Sequence, residues 1–258
     1  MTDVTQRFST RVDNYVRYRP SYPDALIDTL RDDCDLTAES IVADVGSGTG
    51  ILTEMFLRHG NVVYGIEPNR EMRQAAERLL AACDRFHSVA ATAEDTTLAD
   101  ASVDVITAGQ AFHWFDRKRT RAEFVRVLKP GGWVALIWNE RILTTPFLAA
   151  YEQLLKEYVI EYDQVDHRRI DESVIRDFFH PSTVTLEQFE NRQVFDYDGL
   201  RGRLLSSSYA PEAGDPRHEP MLAELRRIFD AHQSNGTVVF AYVTQMYFGR
   251  LASELDGS

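Results

Sequence analysis

Apolar and polar positions along the first 140 residues alternate between helix-like and strand-like periods. Ala25, Leu26 and Leu30 recur at helical spacing, which predicts a helix within 22–36. IVADVG, residues 41–46, is a short β-branched run ending in glycine, the pattern of a buried strand. Residues 48–60 read as a helix, closed by Gly60 at the position that favours a left-handed cap. NVVYGIEP, residues 61–68, is a second strand stopped by Pro68. Asn69 can cap the helix after it, on which Met72, Ala75, Ala76, Leu79 and Leu80 make one apolar stripe. FHSVAA (86–91) and VDVITAG (103–109) predict a third and fourth strand. A helix over 119–128 then runs into KPGG, and WVALIWN (133–139) is the fifth strand. This alternation is economically satisfied by a parallel sheet with right-handed crossovers.

After Arg141 the texture changes. Helical stretches at 145–162, 200–207 and 219–233, and one more after the charged run 163–173, are interspersed with strand patterns at 184–197 and 237–251. Two late strands separated by helices predict an antiparallel pair at one sheet edge. No Gly/Ser-rich linker interrupts the chain, so the expectation is one α/β domain. Its parts are an N-terminal helical cap (1–40), a ligand-binding core (41–139), and lid helices with the last two strands (140–258).

The 258 residues, 44% hydrophobic and 26% charged, suffice for a sizeable core. A net charge of −12 repels a phosphate backbone, so nucleic acid is not an expected partner. The basic run DRKRTR, 116–121, reads as a solvated helix face. Cys34 and Cys83 show no metal-ligand spacing, so no metal is expected and a reducing compartment is. The first residues are polar, and no window reaches the ~20 apolar residues that span a bilayer. These features predict a cytoplasmic protein without a membrane partner, a monomer or weak homodimer.

VADVGSGTG places Gly46, Gly48 and Gly50 between the first strand and its helix. Glycines there let backbone approach a ligand, and a helix N-terminus offers free N–H groups. The same loop also fits a plain tight turn. Glu67 at the end of the next strand raises the ligand reading, because a carboxylate there can accept both hydroxyls of a ribose. A dinucleotide fingerprint needs glycine at position 51, where this chain has Ile51.

The G-x-G-x-G form with Asp44 two residues ahead resembles the first motif of class I S-adenosylmethionine-dependent methyltransferases. GIEPNREM, TAEDTTLADASVDVI and EFVRVLKPGGWVAL resemble the segments that follow in that family. YVRYRPSYP, QAFHWFD and YVTQMYFGRL resemble a small-molecule branch that includes fungal enzymes of the trans-aconitate methyltransferase type. The resemblance implies a Rossmann-like, seven-stranded, mostly parallel sheet with an antiparallel edge strand, helices on both faces and a helical lid insertion. It implies S-adenosyl-L-methionine as cofactor, with Asp44 ordering the Gly46–Gly50 loop along the methionine moiety and Glu67 holding the ribose. Pro68 and Met72 would lie near the adenine, and Ala93 would give it a backbone N–H. The family often has Asp where this chain has Thr92, so the adenine amino contact falls to Glu94 or to Thr92. Tyr18 and Arg19 could fold over the cofactor, Arg19 pairing with its carboxylate or standing as a surface charge.

The activated methyl comes from the cofactor, which leaves positioning and desolvation to the protein. A carboxylate acceptor is already ionised near neutral pH, whereas an alcohol or amine needs a base. His113 is the candidate base, or a plain backbone hydrogen-bonding group. Gln110 stands at the strand end where the family approaches the methyl donor. Trp114 could wall the substrate or face a cationic centre, while Phe115 reads as core. Tyr209 and Arg141 are candidates for the substrate site, and Arg141, Arg201 or Arg203 could bind a carboxylate bidentately. A non-catalytic cofactor-binding regulator and an NAD-dependent oxidoreductase are the alternatives.

Overall fold

The computed structural model describes residues 16–159, 171–207 and 210–252. Seven strands form one sheet: β1 (Ile41–Val45), β2 (Val62–Ile66), β3 (Phe86–Val89), β4 (Val103–Gly109), β5 (Leu128–Arg141), β6 (Val184–Phe195) and β7 (Val238–Gly249), in the order β3-β2-β1-β4-β5-β7-β6. The first five are parallel, and Asp44 lies opposite both Gly65 of β2 and Thr107 of β4. β7 runs the other way, since the Thr244 hydroxyl reaches Asn139 while the Ile142 N–H reaches the Ala241 carbonyl. The strand order reverses between β1 and β4, the place where open α/β sheets hold ligands at their carboxyl ends.

The helices are α1 (Ala25–Cys34), α2 (Ile51–His59), α3 (Arg70–Leu79), α4 (Arg117–Val127), α5 (Pro146–Tyr158), α6 (Glu172–Phe179), α7 (Tyr197–Leu205) and α8 (His218–His232). Gly60, in the left-handed region at φ 104°, ends α2 as its sequence predicts. Asn69 caps α3 by accepting the Met72 N–H. On α3 the predicted apolar stripe stops early: the helix ends at Leu79, which is 54% exposed, and Leu80 turns back into the core. β5 begins earlier than its apolar run suggests, because Leu128 already pairs with Val103. The register then slips, and KPGG bulges out before Trp133 pairs with Val105. In DRKRTR, Asp116 caps α4 and Arg117 to Arg119 are exposed. Arg121 departs from the solvated reading, with its guanidinium donating to the carbonyls of Phe178, His180 and Ala252.

Contacts divide the chain into two compact units, a division that differs from three consecutive segments. The sheet unit comprises residues 21–139, the described part of 170–189, and the described residues from 244 onward. Thus 21–40 join the sheet, as do α6 and half of β6, rather than a cap or lid. Alternate strand positions feed its two cores. Val134, Leu136 and Trp138 of β5 pack with Phe112, Phe124 and Phe178, whereas Ala135 and Ile137 pack with Leu26, Leu30, Phe56 and Phe248. Cys34 is buried in the second of these, and desolvation with Asp33 and Asp35 nearby pushes its thiol up to about 12.

The other unit draws on the described residues of 1–20, 140–169 and 190–243. Phe147, Tyr151 and Leu155 of α5 pack with Met221 and Leu225 of α8 and Phe240 of β7. Among the described residues no helix is long and apolar enough to cross a membrane, and no group of His, Cys, Asp or Glu could hold a metal ion.

Candidate active site

The glycine loop leaves β1 and enters α2 through three left-handed residues, Gly46 (φ 70°), Gly48 (φ 58°) and Gly50 (φ 87°). Glycine adopts this region without the penalty a Cβ brings. At Gly46 space also forbids a side chain, since a Cβ would lie 2.5 Å from the Ala111 Cβ. The end of β2 holds the loop. Gly46 and Ser47 N–H groups donate to the Ile66 carbonyl at 2.8 and 3.1 Å, and the Gly48 N–H donates to Glu67 Oε2 at 2.9 Å.

Glu67 is buried, and its other oxygen accepts the Asn69 N–H at 2.7 Å. Burial raises its pKa, while the Asn69 and Gly48 N–H groups and the nearby Arg73 pull it back. A carboxylate offers about four lone-pair sites, so two backbone bonds leave acceptor capacity for two hydroxyls.

Asp44 is fully buried one strand away. It accepts the Thr53 hydroxyl at 2.6 Å and the Thr107 hydroxyl at 3.2 Å. Asp44 thus bears on the glycine loop through Thr53, in the first turn of the helix that the loop enters. Asp44 ties α2 to β4, while the Gly46, Ser47 and Gly48 amides go to Ile66 and Glu67 and the Gly50 amide to the Ser47 carbonyl. Desolvation pushes the Asp44 carboxyl up to about 6 against its hydrogen bonds to Thr53 and Thr107.

Pro68 follows Glu67, and Met72 is buried with its Cε 3.5 Å from where a Gly48 Cβ would stand. Ala93 is buried, and its N–H makes no hydrogen bond among the described residues. Glu94 Oε1 accepts the Asp116 N–H at 2.8 Å, and Thr92 pairs with Asp95 across the loop. Glu94 thus joins this loop to the cap of α4, a task the sequence does not suggest. Glu123 of α4 holds the same loop by accepting both the N–H and the hydroxyl of Thr96.

Gln110, directly after β4, is left-handed at φ 56° although it is not glycine. Such strain persists where surrounding structure imposes it. Its N–H donates to the Ile137 carbonyl at 2.8 Å, and its Nε2 to the Asn139 carbonyl at 3.1 Å. The 3-10 turn Phe112–Trp114 follows and divides the aromatic run. Phe112 is buried edge-on to Phe178, His113 is half-buried with its ring 4.6 Å from that of Trp114, and Trp114 is 42% exposed. Phe115 packs against the core, as its reading predicts.

Several polar groups at this edge escape sequence reasoning. Asn139 closes an apolar strand, Thr244 sits in the middle of β7, and the Tyr22 hydroxyl would lie 2.5 Å from a Gly109 Cβ. Tyr22 and Thr244 lie within YVRYRPSYP and YVTQMYFGRL, whose resemblance assigns neither of them a role. Only the odd polar residue within an apolar run marks Asn139 and Thr244.

The remaining candidates lie in the other unit. Arg19 donates to the Ser206 carbonyl at 3.4 Å, and the Tyr18 ring packs against Gly202. Arg141 is buried in an ion pair with Glu152 and lies over the Tyr151 and Phe240 rings. Arg203 is buried, its Nε donating to the Tyr242 hydroxyl at 3.3 Å, while Arg201 is exposed. Tyr209 falls outside the described residues.

A buried acid directly after β2 is thus bonded to the glycine turn that follows β1, at the place where strand order reverses and open α/β sheets hold ligands at their carboxyl ends. Residues 43–136 match the model of the methyltransferase domain family. The chain is 40% identical over 139 residues to an uncharacterised methyltransferase of Mycobacterium tuberculosis, covering 54% of each chain. It therefore spans about half the length of the curated relatives it matches. A protein from Anaeromyxobacter dehalogenans assigned as a type II methyltransferase superposes with a TM-score of 0.68 at 24% identity, over 92% of this chain and 100% of that one. A phosphoethanolamine N-methyltransferase of Haemonchus contortus, solved with S-adenosyl-L-methionine, superposes with a TM-score of 0.55 at 13% identity, over 97% of this chain and 59% of that one. The fold is the class I methyltransferase α/β fold.

Proposed function

We propose that this chain is an S-adenosyl-L-methionine-dependent methyltransferase acting on a small molecule, with carboxylic acids as the acceptor class. The observation that carries the reading is the Glu67–Gly48 hydrogen bond, which joins a ribose-competent carboxylate to a backbone cradle. The residues present fit the cofactor. Gly46 admits no Cβ, Glu67 retains acceptor capacity, and the buried Ala93 N–H is open to a ring nitrogen. In this reading the Gly46–Gly50 loop holds the methionine portion and Glu67 the ribose. Pro68, Met72 and Ala93 bound the adenine, with Glu94 or Thr92 beside its amino group.

When bound, the cofactor supplies a methyl group activated by a sulfonium. The chain's residues then need only bind, orient and exclude water. Gln110 offers an amide at the edge of β4, and Trp114 an aromatic surface. A carboxylate acceptor needs no base, while an alcohol or amine would call on His113. The acidic balance of the chain supports a small acceptor over nucleic acid. A relation to the trans-aconitate type, a cytoplasmic site of action and a monomeric or weakly dimeric state belong to the same proposal.

Isothermal titration with S-adenosyl-L-methionine tests the cofactor, with binding expected and its absence overturning the reading. Methyl transfer from labelled cofactor to a panel of carboxylic acids, alcohols and amines tests the acceptor. Base-labile methyl esters are the expected product, and transfer to amines alone would refute the acid class.

A further inference from the structure

Gln110 is held by more than its own strand. Its Nε2 donates to the backbone carbonyl of Asn139 at 3.1 Å. The Asn139 side chain is itself clamped, with Nδ2 donating to the Ser21 carbonyl at 3.3 Å and Oδ1 accepting the Thr244 hydroxyl at 2.5 Å. Asn139 is 8% exposed and Thr244 fully buried, so water does not readily replace these bonds. With Nε2 used on a carbonyl, Gln110 is left with Oε1, an acceptor without a hydrogen-bond partner among the described residues. The orientation of the amide is thereby decided. A free Gln could turn either its donor or its acceptor outward, and the Asn139 carbonyl admits only the donor.

We propose that Asn139, locked by Thr244 and Ser21, is a positioning residue that fixes the Gln110 amide with Oε1 presented at the carboxyl edge of β4. The proposal rests on the methyl-transfer reading for its consequence. An oriented carbonyl oxygen favours a positively charged sulfonium over the neutral thioether left after transfer, whereas an amide free to flip favours it less.

The test uses the full chain and two ligands, S-adenosyl-L-methionine and S-adenosylhomocysteine. Gln110→Ala should cut the preference for the sulfonium over the thioether about fivefold, the worth of one hydrogen-bond-sized interaction. Asn139→Ala and Thr244→Val should each cut it comparably. Thr244→Ser, which keeps the hydroxyl, should restore most of it. Asn139→Ala added to Gln110→Ala should cost nothing further, because residues acting as one unit are not additive. Full additivity, or an unchanged preference in Asn139→Ala and Thr244→Val, overturns the proposal. Thr244→Val preserves volume and so guards against a fold that fails. The Gln110 side-chain amide signal in a 15N correlation spectrum, identified by its loss in Gln110→Glu, gives a readout independent of any ligand. It should move in Asn139→Ala and Thr244→Val and hold in Thr244→Ser. If neither ligand binds the wild type, the methyl-transfer reading fails while this spectrum still decides the positioning.

Discussion

The Gly48 N–H donates to Glu67 Oε2 at 2.9 Å, a bond between residues nineteen apart in sequence that joins the ends of β1 and β2. It means that Glu67 and the glycine loop are set against each other by the protein itself. Removing the acid should therefore loosen the loop as well as the ribose contact proposed for Glu67. Glu67→Gln, which turns an amide N–H₂ toward one of two backbone N–H donors, should weaken S-adenosyl-L-methionine binding roughly 10- to 100-fold. Glu67→Ala should weaken it at least as much. Titration calorimetry measures both, and wild-type affinity in either would sink the assignment of Glu67.

The three loop glycines should not be equally replaceable. A Cβ on Gly46 would meet the Ala111 Cβ at 2.5 Å, whereas on Gly48 it would meet only the flexible Met72 Cε at 3.5 Å. Both positions carry the left-handed cost of about 1–2 kcal/mol for a non-glycine residue. Gly46→Ala adds a backbone shift to it and should be the more destabilising in urea unfolding. Equal midpoints would contradict the packing described for Ala111.

Asp44 gives a pH dependence whose sign is definite. Its folded pKa, about 6, lies above the unfolded value, so between roughly pH 4 and 6 the folded state binds the extra proton. Its contribution to stability is present at low pH and is lost as pH rises through 6. The slope from this group is at most about 1.4 kcal/mol per pH unit. Asp44→Asn should flatten the stability profile over that interval. A profile as steep as the wild type's, from chemical denaturation at a series of pH values, would show that Asp44 does not titrate there.

Glu123 acts in the opposite sense. Burial works to raise its pKa, but Arg126 and both donors of Thr96 outweigh burial and hold it at about 2. Its stabilisation is full above the ordinary carboxylate range and is lost as pH falls toward 2. Because it anchors the loop that carries Ala93, Glu123→Gln should raise hydrogen exchange in residues 92–98 before the rest of the sheet. Unchanged protection there would remove Glu123 from the support of this loop.

His113 offers a further test tied to the acceptor. If an alcohol or amine is the substrate, His113→Ala should lower turnover at least 100-fold with little change in cofactor affinity. With a carboxylate acceptor both should persist. A loss of cofactor binding instead would assign His113 to structure.

Much of the sheet is legible in sequence because its strands are short, apolar and separated by helices with local stop signals. Gly60 and Asn69 act within one turn of their own positions, and the structure places both as caps. Leu79 defeats the helical stripe because burial at a helix end depends on where the helix stops. The division of 140–258 between two units is equally invisible, since β6 and β7 each supply residues to both.

The sequence by itself determines which groups can take part: the left-handed turn at Gly46, Gly48 and Gly50, the acid at Glu67, and the polar end of β4 at Gln110. These follow from local backbone freedom and from alternating strand and helix periods. Only the tertiary structure decides what each group faces. It turns Asp44 away from the loop amides toward Thr53 and Thr107, commits Arg141 to Glu152, and gives Gln110 an orientation through Asn139 and Thr244. Those partners lie on strands and helices far apart in the chain. A buried polar group bonds to whatever the packing brings within reach.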